Sequence, residues 1–239
     1  MRFSLLLLFT FVFMVRLPAQ KVIYDSNIEV RAAAPFHAIA VSAGIDLYLS
    51  HGEEKVGVSA KSLELRSHIR TRVDNGVLKI WYEWKEGRQM SFGSNKALKA
   101  YVSYTALDGL HGSGGSDITV DGVLRAAVLQ LHISGGSDFK GGVDIQNLKI
   151  HASGGSDVLI EGRVGTLSMD VSGGSDVDGF ALTSEKATIS ASGGSDVQIS
   201  VTRDINANAS GGSDVRYKGP ASVTDIRSSG SSRVKKVTL

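Results

Sequence analysis

The 239-residue chain contains no cysteine. Disulfides are excluded, and so is anchoring through a lipid-modified cysteine. Proline is scarce, at 3 residues. No charge of one sign dominates. Lys and Arg number 26 against 24 Asp and Glu, and two of the basic residues, Arg2 and Arg16, lie in the first twenty. Without that stretch the balance is 24 against 24, which argues against a general nucleic-acid binder, since such proteins carry a basic excess on one face. Long hydrophobic runs are also missing. Leu5 to Val15, within MRFSLLLLFTFVFMVRLPAQ, is about eleven residues, short of the ~20 a membrane-spanning helix needs. With Arg2 before it and Leu17-Pro18-Ala19 after it, the stretch reads as an export signal over residues 1–20, cleaved after Ala19 or Gln20. No transmembrane span is expected after cleavage. Export normally permits disulfides, so this fold must be stable without them.

What the chain has in abundance is glycine, 28 residues, much of it in one motif. Ser-Gly-Gly-Ser-Asp occurs verbatim at 113–117, 134–138, 153–157, 172–176, 192–196 and 210–214. A decayed copy, Ser229-Gly230-Ser231-Ser232-Arg233, follows. The spacing stays near 19 residues, which marks a solenoid whose repeats bury their apolar faces on one another. Before each copy, apolar residues recur at every second position: Leu129, Leu131, Ile133; Leu148, Ile150, Ala152; Leu167, Met169, Val171. After each copy the next residue is apolar: Ile118, Phe139, Val158, Val177, Val197, Val215. A period of two means strands with one buried face. Asp121-Gly122, Gly141-Gly142 and Glu161-Gly162 supply a second corner. The reading is all-β: a parallel β-helix of ~19-residue coils, with one strand on each side of the corner.

The glycines Gly114, Gly115, Gly135, Gly136, Gly154, Gly155, Gly173, Gly174, Gly193, Gly194, Gly211 and Gly212 are read as structural corners. They allow positive φ and close approach of neighbouring backbones, while Ser and Asp bond the nearby backbone. Stacking then produces a column of carboxylates: Asp117, Asp138, Asp157, Asp176, Asp196 and Asp214. A calcium ladder is the competing reading, but calcium wants six to eight oxygens and each corner offers one carboxylate. A second column, two residues before each copy, runs His111, His132, His151, Asp170, Ser190, Asn208, Arg227. Stacked imidazoles are candidate zinc or copper ligands. The reading adopted is an outward polar position, because Ser, Asn and Arg occupy it later. No metal and no cofactor is assigned. Catalysis is not expected either, because an active site needs residues unlike their neighbours and the corners are alike.

Residues 21–112 share this grammar loosely. Ser42-Ala43-Gly44-Ile45-Asp46 is a relaxed corner, and Asp74-Asn75-Gly76 joins two strands as a hairpin. Ser62 to Arg70 is a short helical turn or a loop. Trp81, Tyr82, Trp84, Phe92, Tyr101 and Tyr104 lie close in sequence and are read as core packing or a cap over the open end, the cap being preferred to a ligand surface. The tail from Arg216 is locally basic and reads as a solvated strand face.

The stretch from Phe36 to Leu49, the hairpin and the serial corners together resemble the putative auto-transporter adhesin, head GIN domain family. The resemblance implies a right-handed parallel β-helix without recognised catalytic residues, and an adhesive surface role. Gly44-Ile45-Asp46 stands where the family name suggests an Asn. The expectation is a single domain over 21–239 after the signal, with 21–112 as degenerate coils and cap and 113–239 as repeat coils. Its function would be that of an exported adhesive or structural module in the periplasm, on the outer-membrane surface or secreted. A carbohydrate-active β-helix enzyme and a periplasmic sensor or scaffold are the alternatives. The partners left open are a polysaccharide, a protein or a second copy of the chain.

Overall fold

Alternating apolar residues on both sides of a repeated corner should give strands that stack coil on coil, and they do. A computed structural model of the protein describes residues 25–84 and 97–238, so the expected export signal and Phe92 lie outside the described residues. The strands are β1 (Glu29–Arg31), β2 (Ala38–Ser42), β3 (Asp46–His51), β4 (Lys55–Ser59), β5 (Ile69–Asp74), β6 (Val77–Tyr82), β7 (Lys99–Tyr104), β8 (Gly109–Ser113), β9 (Ile118–Ser134), β10 (Phe139–Ser153), β11 (Asp157–Val171), β12 (Asp176–Ala191), β13 (Asp196–Ala209), β14 (Asp214–Lys218), β15 (Ser222–Ser228) and β16 (Arg233–Lys236). One helical turn, α1 (Leu63–Ser67), lies between β4 and β5. The Ser62 hydroxyl caps it by accepting from the Leu65 amide at 3.3 Å.

From β9 onward every neighbouring pair is parallel, and the corners are in register: Phe139 lies beside Ile118 and Val158, and Asp176 beside Asp157 and Asp196. The result is a β-solenoid of about seven turns of roughly 19 residues. The alternating residues form continuous inward columns: Leu131, Ile150, Met169, Ile189 and Ala207 are all within 1% of full burial. Each large aliphatic side chain buried this way contributes about 1.5–3 kcal/mol.

Two details differ from the sequence reading. The second corner is not a turn between strands. β9 to β12 run through it, and the ladder absorbs it as register shifts at Lys140/Gly142, Leu159/Gly162 and Gly179/Thr183, in the manner of β-bulges. The first coils are also not stacked in chain order. β2 pairs with both β6 and β8, and β3 with both β7 and β9. The chain therefore enters in the second layer, passes out to the end, builds the outermost coil from β6 and β7, and returns at β8. The outward passage forms the cap. β4 lies antiparallel on β7, with β1 antiparallel beyond it, and β5 lies antiparallel on β6. Asn75 and Gly76, at φ 51° and 75°, make the hairpin turn between β5 and β6.

Candidate functional site

At the corners, the first glycine of all six copies is left-handed, with φ between 64° and 76°. A Cβ on Gly154 would lie 3.1 Å from the Gly135 amide nitrogen, so the coil below leaves no room for a side chain. The second glycine faces open space in the first five copies, and at Gly212 a Cβ would only touch the Gly193 carbonyl oxygen at 3.5 Å. This second glycine is left-handed at Gly115, Gly136, Gly155 and Gly174, but not at Gly194 or Gly212. This explains why Ser231 is accepted at that position in the last copy.

The second serine of each copy points inward and is completely buried in all six. The Ser116 amide donates to Ser137 Oγ at 2.9 Å, and the Ser156 amide to Ser175 Oγ at 3.0 Å. Ser156 Oγ donates in turn to the Ser153 carbonyl at 2.9 Å. The Ile45 amide joins the same ladder through Ser116 Oγ at 3.0 Å, so the relaxed corner at 42–46 is a true member of the stack. These hydroxyls satisfy buried backbone and are not free to act as nucleophiles.

The aspartates stand outside, one coil above the next. Asp117, Asp138 and Asp176 each accept through Oδ1 from the backbone amide of the following coil's aspartate, at 3.3, 3.2 and 3.1 Å. The column is longer than the six copies. Asp46 extends it at the capped end and pairs in register with Lys99. At the other end Asp214 meets Arg233, with Nε to Oδ1 and Nη2 to Oδ2 both at 3.2 Å. Partial burial and then neighbouring carboxylates push Asp46 and Asp157 above the usual aspartate range, and partial burial does the same to Asp117.

The histidine column is also real. His111 and His132 are stacked, with ring centroids 4.7 Å apart and planes 12° from parallel, and His132 and His151 are 5.7 Å apart and tilted. Asp170 follows in register. Desolvation of the stacked faces holds His111 and His132 below the ordinary histidine value, and neighbouring positive charge from His111, His151 and Lys149 adds to the effect at His132. Among the described residues, no group of three or more His, Cys, Asp or Glu is arranged to hold a metal ion. Face-to-face rings do not aim their nitrogens at one shared point.

The aromatic residues do not form one cap. Tyr82 and Tyr104 are core residues, at 8% and 1% exposure. Trp84 packs edge-on against Tyr82 at 4.8 Å. Trp81 lines a shallow depression with Lys79 and His111. Tyr101 stands on the outer face of β7, stacked on Tyr48 of β3 with centroids 5.2 Å apart. Tyr48 played no part in the sequence cluster, because Tyr101, its neighbour across the β3–β7 ladder, is remote from it along the chain.

This tyrosine pair borders a groove of about 740 Å³ on the outer face of β1, β4, β7, β3 and β9. Gly57, which pairs with Tyr101 and Val30, forms its floor, and Ile28 and Val30 form the opposite bank. Val30 is 75% exposed. Tyr101 is fixed from behind by its hydroxyl, which donates to Asp25 Oδ2 at 3.2 Å. Burial and this bond to a carboxylate push the phenol up to about 12. Partial burial acts to raise Asp25, but the Asn27 amide and the Ser59 and Tyr101 hydroxyls outweigh it and hold the carboxyl below its ordinary value. No helix among the described residues is long and apolar enough to cross a membrane.

No curated protein matches the sequence. Solved structures do. A putative adhesin from Bacteroides fragilis aligns at TM-score 0.78 and 16% identity, over 89% of this chain and 98% of that one. A protein from Parabacteroides distasonis described as a putative lipid binding protein aligns at 0.67 and 17%, over 90% and 98%. A putative adhesin from Parabacteroides merdae aligns at 0.64 and 16%, over 90% and 98%. At such identities these likenesses establish the fold. The family description "Putative auto-transporter adhesin, head GIN domain" matches residues 35–221. With that match over most of its length, the chain belongs to the head GIN domain family of auto-transporter adhesin-like proteins.

Proposed function

We propose that this protein is an exported, non-catalytic binding module of the cell envelope, acting as an adhesin-like rod whose contacts are made at its capped end. The observation that carries this reading is the distribution of variety. From residue 113 on, the second serine of every verbatim corner is buried, and the bonds it makes run to backbone amides or carbonyls of its own or a neighbouring coil, so the corners are alike in kind and none stands out as a reactive constellation. Irregular, partly exposed side chains gather around β1, β4, β7 and β3. The family description and the adhesin-named structural relatives support the same reading. A rigid solenoid holds such a site away from its point of attachment, and many copies on a cell sum weak contacts by multivalency.

Cell fractionation combined with protease shaving of intact cells tests this. The expected result is protein in the envelope or medium that is accessible to added protease or antibody. A protein confined to the periplasm and protected from shaving would overturn the adhesive role. Release of reducing ends or unsaturated products from polysaccharides by the purified chain would instead favour an enzyme.

A further inference from the structure

We propose that the Tyr48–Tyr101 groove is a saccharide-binding site that takes a short stretch of a neutral polysaccharide laid across the strands. The inference rests on the binding-module reading above and names the ligand class for it. Five adjacent strands spaced by ~4.8 Å give the floor a length of roughly 19 Å across the sheet. The groove lies within the usual size range of ligand sites. Its centre is apolar but not greasy. The two tyrosine rings offer π-faces and edges, and beside them the missing side chain of Gly57 makes room for the Ile28 methyl, which lies 3.2 Å from where a Cβ would stand.

The rim is polar. Ser50, Ser103 and Thr119 line the groove on the tyrosine side, the Ser103 hydroxyl already donating to the Glu53 carbonyl and keeping its lone pairs for a ligand, and charges of both signs surround them. Lys55 is already engaged with Glu53 at 2.8 Å, and Lys99 faces Asp46 across the ladder. A pyranose ring matches such a surface: its C–H face lies on an aromatic ring while its hydroxyls reach hydroxyls and charged groups at the edge. An acyl chain fits poorly, because it would cover the rim hydroxyls without bonding them. A polyanion finds little net positive charge among the described lining residues, since Glu53 pairs with Lys55, and Asp46 and Asp121 stand near Lys99 and the groove's far end respectively. A peptide adding itself as a strand would use the outer edge of β1, which is three residues long, and would not need the tyrosines. The Asp25 hydrogen bond holds Tyr101 in place before any ligand arrives, and such preorganisation lowers the cost of binding.

The test is calorimetric titration of the purified protein with cellohexaose, xylohexaose, mannohexaose and maltohexaose. At least one should bind in the micromolar to millimolar range. Tyr48→Ala should weaken that binding tenfold or more. Gly57→Leu displaces Ile28, whose methyl would lie 3.2 Å from the new Cβ, fills the floor and should abolish binding in a protein that still folds. Tyr101→Phe keeps the ring and should stay within about threefold of the parent. Circular dichroism and melting of each variant separate lost binding from lost fold. Binding that survives Gly57→Leu in a folded protein would overturn the proposal. So would the absence of binding by all four sugars at millimolar concentration, or binding only of dodecanoate or of an extended peptide. None of these outcomes touches the envelope location, which shaving decides independently.

Discussion

A single corner glycine meets two separate demands, and the six copies separate them. Gly154 must be left-handed, and its missing Cβ admits the Gly135 backbone 3.1 Å away. Gly155 must be left-handed but faces open space, and Gly194 satisfies neither condition. Substitution by Ala should therefore grade in cost. Gly154→Ala should lose the most, about 2–4 kcal/mol, because strain in φ and a backbone clash add. Gly155→Ala should lose about 1–2 kcal/mol from the left-handed conformation alone. Gly194→Ala should lie within about 0.5 kcal/mol of the parent. Urea unfolding of the three variants checks the order, and equal losses at Gly155 and Gly194 would refute this division. The sequence displays the glycines as equivalent letters. What distinguishes them is the neighbouring coil, which no single motif contains.

At the scale of the element, the ladders decide how the rod responds to its medium. Within the histidine column, the folded values of His111 and His132 lie below the unfolded value near 6.5. The folded state therefore binds fewer protons there than the unfolded chain. Stability from this source is fully present above about pH 6.5 and is lost as pH falls through the lower folded values. Lys149 sharpens the loss at His132. His37, whose value is raised by its bond to Asp108, acts in the opposite sense, so the column is read as a difference: between pH 7 and 5.5 the parent should lose melting temperature relative to His132→Gln, and an unchanged difference across that range would dissociate the effect from the column. The aspartate column works in the opposite sense. Its raised members destabilise the ionised folded state, so Asp157→Asn, which keeps an acceptor and removes a charge, should be neutral or stabilising by up to about 0.5 kcal/mol at pH 7. The gap should close as pH drops through the carboxylate range. The carboxylates already have backbone donors in the next coil and cations at both ends. Millimolar calcium should accordingly raise the melting temperature no more than sodium chloride of equal ionic strength, and a larger rise would restore the calcium ladder. Both columns were visible in the sequence because a fixed distance from the corner fixes the phase.

At the scale of the whole molecule, the rod has two unlike ends, and only one was legible. The repeats announce a solenoid because local alternation and spacing suffice. The order of the first coils does not, because β2 and β3 slot between strands that follow them by about 30 to 80 residues, and nothing local to Ile39 or Leu47 records that partner choice. The groove was hidden for the same reason: Gly57, Val30 and the two tyrosines come from four strands that only this rearranged order makes adjacent. That outward excursion closes one end with antiparallel strands and the short edge strand β1. The other end stops on β15 and β16, which pair with β13 and β14 on one side only among the described residues. An unpaired parallel coil is a template for further strands. Its protection is charge, since β16 reads Arg233-Val234-Lys235-Lys236 with the three basic residues exposed. Two such ends brought together would set like charges face to face. Lys235→Thr with Lys236→Thr removes most of that repulsion, leaves the Arg233–Asp214 pair intact and raises strand propensity. The double variant should show stronger concentration-dependent self-association than the parent in sedimentation velocity, and added Lys at Val223 should reverse it. If the two proteins sediment alike at every concentration, the basic edge is not what keeps this end from growing.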